Sequence, residues 1–216
     1  MTKNLRLLVL VPFAAMTFAA GSAARANVPY GTYKYVINHP LYGDIGTFTN
    51  TISRDGGEVV VDTRLRVAVR LLFIVVYRLE ADRREVWRDG RLAAYDSLTN
   101  DNGTDVRVAG RAEGEKFIIE GPQGRIEAPA GVHPSNPWSI GITRAGAVMA
   151  AETGRLPRVT VTGGEARTVK VGGREVKARR FRVTGDMELE IWFDRNDVAV
   201  RFAYASGGDR LVFTLQ

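Results

Sequence analysis

Val59-Val-Val-Asp-Thr-Arg-Leu-Arg-Val-Ala-Val-Arg-Leu71 decides the fold class of this chain. Its odd positions are Val59, Val61, Thr63, Leu65, Val67, Val69 and Leu71. Asp62, Arg64, Arg66 and Arg70 fill four of the six even positions. A period of two over this length is the signature of a β-strand with one buried face. The apolar run Leu71-Leu-Phe-Ile-Val-Val-Tyr77 then breaks the alternation. One strand from 59 to 79 would be roughly 70 Å long at ~3.3 Å per residue, so the chain must turn near Arg70 to Leu72.

The same grammar repeats outward in both directions. Met187, Leu189, Ile191 and Phe193 alternate with Asp186, Glu188, Glu190 and Trp192. Asp194-Arg-Asn-Asp197 is turn chemistry, and Val198, Val200, Phe202 and Tyr204 continue as the return strand. Gly207-Gly208-Asp209 leads into a last strand through Leu211, Phe213 and Leu215, which completes a meander. Asp89-Gly90, Asn102-Gly103 and Gly172-Gly173 punctuate further hairpins, and Thr32–Asn38 with Ile45–Ser53 form an early pair. The reading is all-β: an antiparallel meander forming a curved sheet, half-barrel or barrel. One segment departs from it. Pro129 to Pro137 reads as loop. Trp138 to Glu152 then places Ile142, Ala145, Val148 and Met149 near helical spacing, with Gly154 as a C-cap, which predicts one short covering helix.

The N-terminus carries a second message. Lys3 and Arg6 precede the apolar stretch Leu7 to Ala20, and Ala24-Arg25-Ala26 offers small residues two apart. This is the pattern of a signal peptide over residues 1–26, cleaved before Asn27. The apolar stretch is short of the ~20 residues a membrane span needs. The expectation is an exported, periplasmic single β domain over 27–216, with no transmembrane segment after cleavage. The chain has no Cys, so an exported domain of this size must rest on its core alone. Net charge is +6, from 30 basic and 24 acidic residues. Removing Lys3, Arg6 and Arg25 leaves 27 against 24, or +3, and the basic residues are dispersed, so no nucleic-acid partner is expected.

Gly31-Thr-Tyr-Lys-Tyr35, Gly43-Asp-Ile-Gly46, Glu85-Val-Trp-Arg-Asp-Gly-Arg-Leu92, Asn102-Gly103, Thr153-Gly154 and Ile191-Trp-Phe-Asp194 together carry a resemblance. The mature chain resembles exported bacterial β proteins, mostly proteobacterial, classed as a domain of unknown function. The resemblance implies a periplasmic curved antiparallel sheet and brings no catalytic residue, cofactor or activity.

Candidate chemistry is sparse. His39 and His133 are the only histidines, each followed by proline in a loop, and with no Cys the supply of zinc ligands is thin. Ser135 and Ser139 stand near His133 without a nucleophile-elbow motif. Glu188 and Glu190 share one strand face ~7 Å apart, a spacing that suits a carboxylate pair and equally a solvated surface. Gly163-Gly164, Gly172-Gly173 and Gly207-Gly208 lack a strand–loop–helix context and read as turns. Arg64, Arg66 and Arg70 share a face. If that face lines a cavity, they would bind an anionic head group; otherwise they solvate the outside. No catalytic, metal or cofactor residue is assigned. The ligand candidates are Arg64, Arg66, Arg70, His39 and His133. The function expected is a non-enzymatic binder or carrier of an apolar or amphipathic ligand such as a lipid, with an envelope structural or protein-interaction module as the alternative. An enzyme using His39, Asp44 and His133 ranks below both.

Overall fold

In the computed structural model the described residues are 28–206 and 208–216. The segment read as a signal peptide lies outside them. Fifteen strands carry almost all of the regular structure. The first eight are β1 (Gly31–His39), β2 (Gly43–Asp55), β3 (Glu58–Leu71), β4 (Ile74–Arg88), β5 (Arg91–Asp101), β6 (Thr104–Glu113), β7 (Lys116–Gly121) and β8 (Gly124–Pro129). Two short ones follow, β9 (Val132–Pro134) and β10 (Ala147–Met149). The last five are β11 (Val159–Val171), β12 (Arg174–Gly185), β13 (Leu189–Phe193), β14 (Ala199–Ser206) and β15 (Asp209–Leu215).

Thirteen strands form one antiparallel sheet in the order β11-β12-β13-β14-β15-β1-β2-β3-β4-β5-β6-β7-β8. Every neighbour is a sequential hairpin except β15 with β1, where Tyr35 faces Leu215 and Asn38 faces Val212. The first and last of the described strands therefore meet in the middle of the sheet, and β8 and β11 remain as its edges. The sheet is not closed on itself.

The expected meanders are present, and the turns explain them. Asp89 and Gly90, Asn102 and Gly103, and Gly172 and Gly173 all sit at positive φ between paired strands. This left-handed pair matches the twist of a two-residue hairpin. The turn required near Arg70 falls at Leu72-Phe73, between β3 and β4. Gly163-Gly164 differs from expectation. It lies inside β11 at a bulge rather than in a turn, and a Cβ on Gly163 would meet the Arg180 carbonyl at 2.4 Å.

The expected covering helix over 138–152 is not α-helical. A 3-10 turn covers Ile140–Arg144 and β10 follows it, pairing parallel with β9. Gly141 and Gly146 interrupt a helix, and the segment must stay extended to cross from the β8 edge to the β11 edge. Its role as a cover survives. Residues 132–140 are all buried, as are Ile142 and Val148 to Ala151. A buried loop has to satisfy its own backbone. The amides of Ser135, Gly146 and Ala150 do so on the carbonyls of Met149 (2.7 Å), Gly131 (3.1 Å) and Arg155 (2.9 Å). Gly154 ends the crossing at φ 71, where a Cβ would come within 2.8 Å of Ile119.

The crossing segment splits the interior into two apolar clusters. One gathers Tyr35, Ile37, Phe48, Leu65, Val67, Phe202 and Phe213 with Ile140, Ile142 and Val148. The other gathers Val61, Trp87, Leu92, Tyr95, Phe117 and Ile119 with Val132, Trp138 and Met149. A third, smaller one, Val169, Ala178, Trp192 and Val200, covers β13 and β14 on the other face.

Candidate ligand cleft

Strand β4 buries alternate residues: Ala81, Arg83, Glu85 and Trp87 face inward. Two of these, Arg83 and Glu85, carry charge on the inward face. Glu85 is fully buried. Its Oε2 accepts the indole N–H groups of Trp87 and Trp138, each at 2.9 Å, and its Oε1 accepts Asn136 Nδ2 at 2.8 Å. Asn136 also exchanges hydrogen bonds with Asn50 (3.0 and 3.2 Å) and donates to Thr63 (3.1 Å), while Thr63 donates to Asn50 (2.7 Å). This network of β2, β3 and β4 clamps the crossing segment onto the sheet. Burial pushes the Glu85 carboxyl up to about 7, against the lowering effect of the three donors and of the Arg83 charge.

Arg83 lies beside the clamp with its side chain 4% exposed. Its Nη2 donates to Glu152 Oε1 at 2.9 Å, and its Nε is buried without a partner. Tyr95 and Tyr204 stand in its field. Tyr95 donates to the Ala151 carbonyl (2.6 Å) and Tyr204 to that of Ser135, so both hydroxyls are fixed by the crossing segment. A buried guanidinium with a half-exposed partner and an orphaned N–H is an expensive feature.

Arg83 and Glu152 line a cleft of about 590 Å³, which Arg155, Asp186 and Glu188 also border; the volume is within the ~300–1,000 Å³ usual for small-ligand sites. Phe48, Leu65, Val67, Leu79, Met187, Leu211 and Phe213 form its apolar walls. Ser135, Asn136 and Ala150 supply its roof from the crossing segment. The arrangement offers an apolar wall beside charges of both signs, of which Arg83 is the buried one, and such a combination suits an amphiphile.

The candidates read from the sequence lie elsewhere. Arg64 and Arg66 come together on Asp82, Arg66 Nη2 at 2.7 Å and Arg64 Nε at 3.4 Å, on the face opposite the buried one. Arg70 is exposed near the β3–β4 turn. His39 ends β1, where its Nδ1 accepts the Leu41 amide (3.1 Å) and its Nε2 lies 3.3 Å from Asp209 Oδ2. His133 is under the far end of the sheet, tilted against Trp87 at 4.7 Å. Trp87 pairs with Val59 and Ile52 with Gly31, so the two histidines stand near opposite ends of β1, roughly 25 Å apart at ~3.3 Å per residue. They do not form one site.

His133 Nδ1 bonds the Pro134 carbonyl at 2.7 Å, which leaves Nε2 as a buried acceptor without a donor. Burial pushes its pKa down to about 4. It borders a small cavity of about 110 Å³ with Val28, Ile52, Trp87 and Trp138. Ser135 Oγ accepts the Ala151 amide and Ser139 Oγ the Gly141 amide, so each hydroxyl serves the fold of the crossing segment. Glu190 is buried, ringed by Arg180, Arg182 and Arg210, and does not stand free beside Glu188. Among the described residues no three of His, Asp and Glu gather as metal ligands.

Sequence reasoning missed Arg83, Glu85, Asn136 and Glu152. A signal for the first two existed. Ala81 and Trp87 set the inward parity of β4, and Arg83 and Glu85 share it. Asn136 and Glu152 carry no such signal, because they act from irregular backbone whose direction only the fold defines.

A family model described as a domain of unknown function, DUF6134, matches residues 43–216. Among solved structures, the crystal structure of a β-barrel-like protein of the domain of unknown function DUF1849, from Brucella abortus, is similar with a TM-score of 0.64. Identity is 12%, over 88% of this chain and 97% of that one, so the likeness is one of fold. No curated protein matches. Both findings agree with the expected resemblance to a β family without an assigned function.

Proposed function

The chain belongs to the family described as domain of unknown function DUF6134, and from its cleft we propose that it is an exported periplasmic carrier of an acidic amphiphile. The observation that carries this reading is Arg83, a buried cation with an unpartnered Nε that lines a largely apolar cleft of about 590 Å³. In this reading the acidic head displaces part of the Glu152 contact and is held by the Arg83 guanidinium. The apolar tail lies along Phe48, Leu65, Leu79, Leu211 and Phe213. In this reading the activity is binding with release. The Lys3 to Ala26 pattern supports export, and the absence of cysteine fits a domain that holds its shape by core packing.

Isothermal titration of the mature chain with dodecanoate tests the reading. Saturable one-site binding is expected, weakened roughly ten- to hundredfold in Arg83→Met, since a hydrogen bond to a charged group contributes about 1.5–3 kcal/mol. Arg64→Gln, on the other face, is expected to bind as the parent does. Absence of binding, or equal loss in both variants, would overturn the reading in favour of an envelope interaction module.

A further inference from the structure

The tip between β3 and β4 breaks the rule the rest of the molecule obeys. Leu71, Leu72, Phe73, Ile74, Val75 and Val76 are exposed by 60, 87, 98, 70, 38 and 50%. Single exposed apolar residues are ordinary, but six in a row are not. Pairing with the neighbouring strands stops at Gly46 with Val67 and at Leu79 with Asp101. Val69 is still buried and Tyr77 packs against the same core, so two or three residues per arm, roughly 7–10 Å of ribbon at ~3.3 Å per residue, stand clear of the sheet. The turn is Leu72-Phe73, with Leu72 at φ 55. Elsewhere the chain makes left-handed turns with Asp89-Gly90, Asn102-Gly103 and Gly172-Gly173. Leu72 accepts backbone strain and full exposure together, and no described residue covers it.

Position and charge say what covers it. Val67 and Leu79, where the hairpin leaves the sheet, also line the cleft, so the tip stands at the cleft's own end of the molecule. Leu41 (76% exposed) and Tyr42 (49%) lie at that end in the β1–β2 turn. Arg70 and Arg78 flank the tip. Arg70 has no carboxylate within 4 Å among the described residues, and Arg78 is 3.7 Å from Glu80. Successive residues of a ribbon point to opposite faces, and here both faces are apolar. A protein groove would cover one face, whereas a bilayer surrounds both.

We propose that the β3–β4 tip is a membrane-docking element for an anionic lipid surface. Leu72, Phe73 and Ile74 enter the boundary between head groups and acyl chains, a depth of ~5–10 Å. Arg70 and Arg78 remain at the level of the phosphates, drawn by the negative surface potential. Docking does not depend on what the cleft binds.

Flotation of the mature protein with vesicles tests it, using phosphatidylglycerol with phosphatidylethanolamine against phosphatidylcholine alone. The parent is expected to float with the anionic vesicles. A Leu72→Asn, Phe73→Gly double variant, which adopts the turn chemistry of Asn102-Gly103, is expected to lose partition by roughly tenfold or more. Arg70→Gln with Arg78→Gln is expected to lose several-fold on anionic vesicles and little on neutral ones. Dodecanoate binding should be unchanged in the double variant, so failure here is distinct from failure of the carrier reading. A parent that stays unbound, or a double variant that floats equally, overturns the proposal. So does a dimer of the parent that the double variant dissolves in sedimentation, which would assign the tip to a second copy.

Discussion

Strand β4 is built inside out. At its start Ile74, Val75 and Val76 stand in water; nine residues on, Arg83 and Glu85 are buried in the core. The two ends of one strand therefore reverse the ordinary distribution of side chains, in opposite senses. Neither end is what stability alone would select, since burying apolar groups and solvating charges would be favourable at both. At the buried end three donors converge on Glu85, and they come from β4 and from the crossing segment. The exposed end is engaged by nothing in the described chain. The difference separates an internal device, which fixes the roof of a cleft, from an external one, which waits for a second phase.

The largest expected effect attacks the internal device. Glu85→Leu keeps the volume and leaves the N–H groups of Trp87, Trp138 and Asn136 buried without an acceptor. Three stranded donors, each costing about 1–3 kcal/mol, should together cost roughly 3–5 kcal/mol, with Arg83 still held by Glu152. Urea unfolding measures it. A loss under about 1 kcal/mol would mean that the crossing segment is held by its apolar contacts and not by the clamp.

The next effect sharpens the same comparison through pH. The Glu85 carboxyl is raised from 4.5 to about 7, so its stabilising contribution is full below 4.5 and lost by about 7. The His133 imidazole is lowered from 6.5 to about 4, so its contribution is present above 6.5 and lost as pH falls to about 4. Between about 4.5 and 6.5 the folded protein holds one proton more at Glu85 and one fewer at His133, and the two slopes cancel. Single substitutions unmask each one. His133→Phe should make stability fall, relative to the parent, by up to roughly 3 kcal/mol from pH 4.5 to 7, and Glu85→Gln should make it rise by a similar amount from pH 4 to 6.5. Denaturation midpoints across that range decide it. Parallel curves for parent and variants would show that neither group changes its pKa on folding.

The sheet was legible because its signals are local. Alternation from Val59 to Leu71 and the Asp-Gly, Asn-Gly and Gly-Gly turns each act within a few residues, and they translate directly into β3 and its fellow hairpins. The β15–β1 pairing was not legible, since it joins residues about 180 positions apart through backbone bonds that leave no trace in residue type. The helix expected over 138–152 was a misreading of period. Ile142, Val148 and Met149 are buried because the segment runs between two apolar clusters, not because one helical face is. The cleft was half legible. The chosen arginines were on the solvated face of β3, while Arg83 occupies an inward position of β4 that the parity of Trp87 discloses.

The smallest expected effect tests the external device against the rest of the chain. If Leu72-Phe73 is kept apolar for contact with another phase, it should be suboptimal for the isolated fold. Leu72 holds φ 55, a conformation that asparagine and glycine accept more readily, and its side chain makes no compensating burial. Leu72→Asn with Phe73→Gly should therefore leave the folded protein as stable as the parent or raise its stability by about 1 kcal/mol. The corresponding exchange at the other end of β4, Asp89→Leu with Gly90→Phe, should lower it by a similar amount or more. Two denaturation curves with opposite shifts would show that the tip residues serve something outside the fold. A loss of stability at the tip would instead mean that Leu72 and Phe73 stabilise the hairpin itself, and the contrast between the two ends of β4 would disappear.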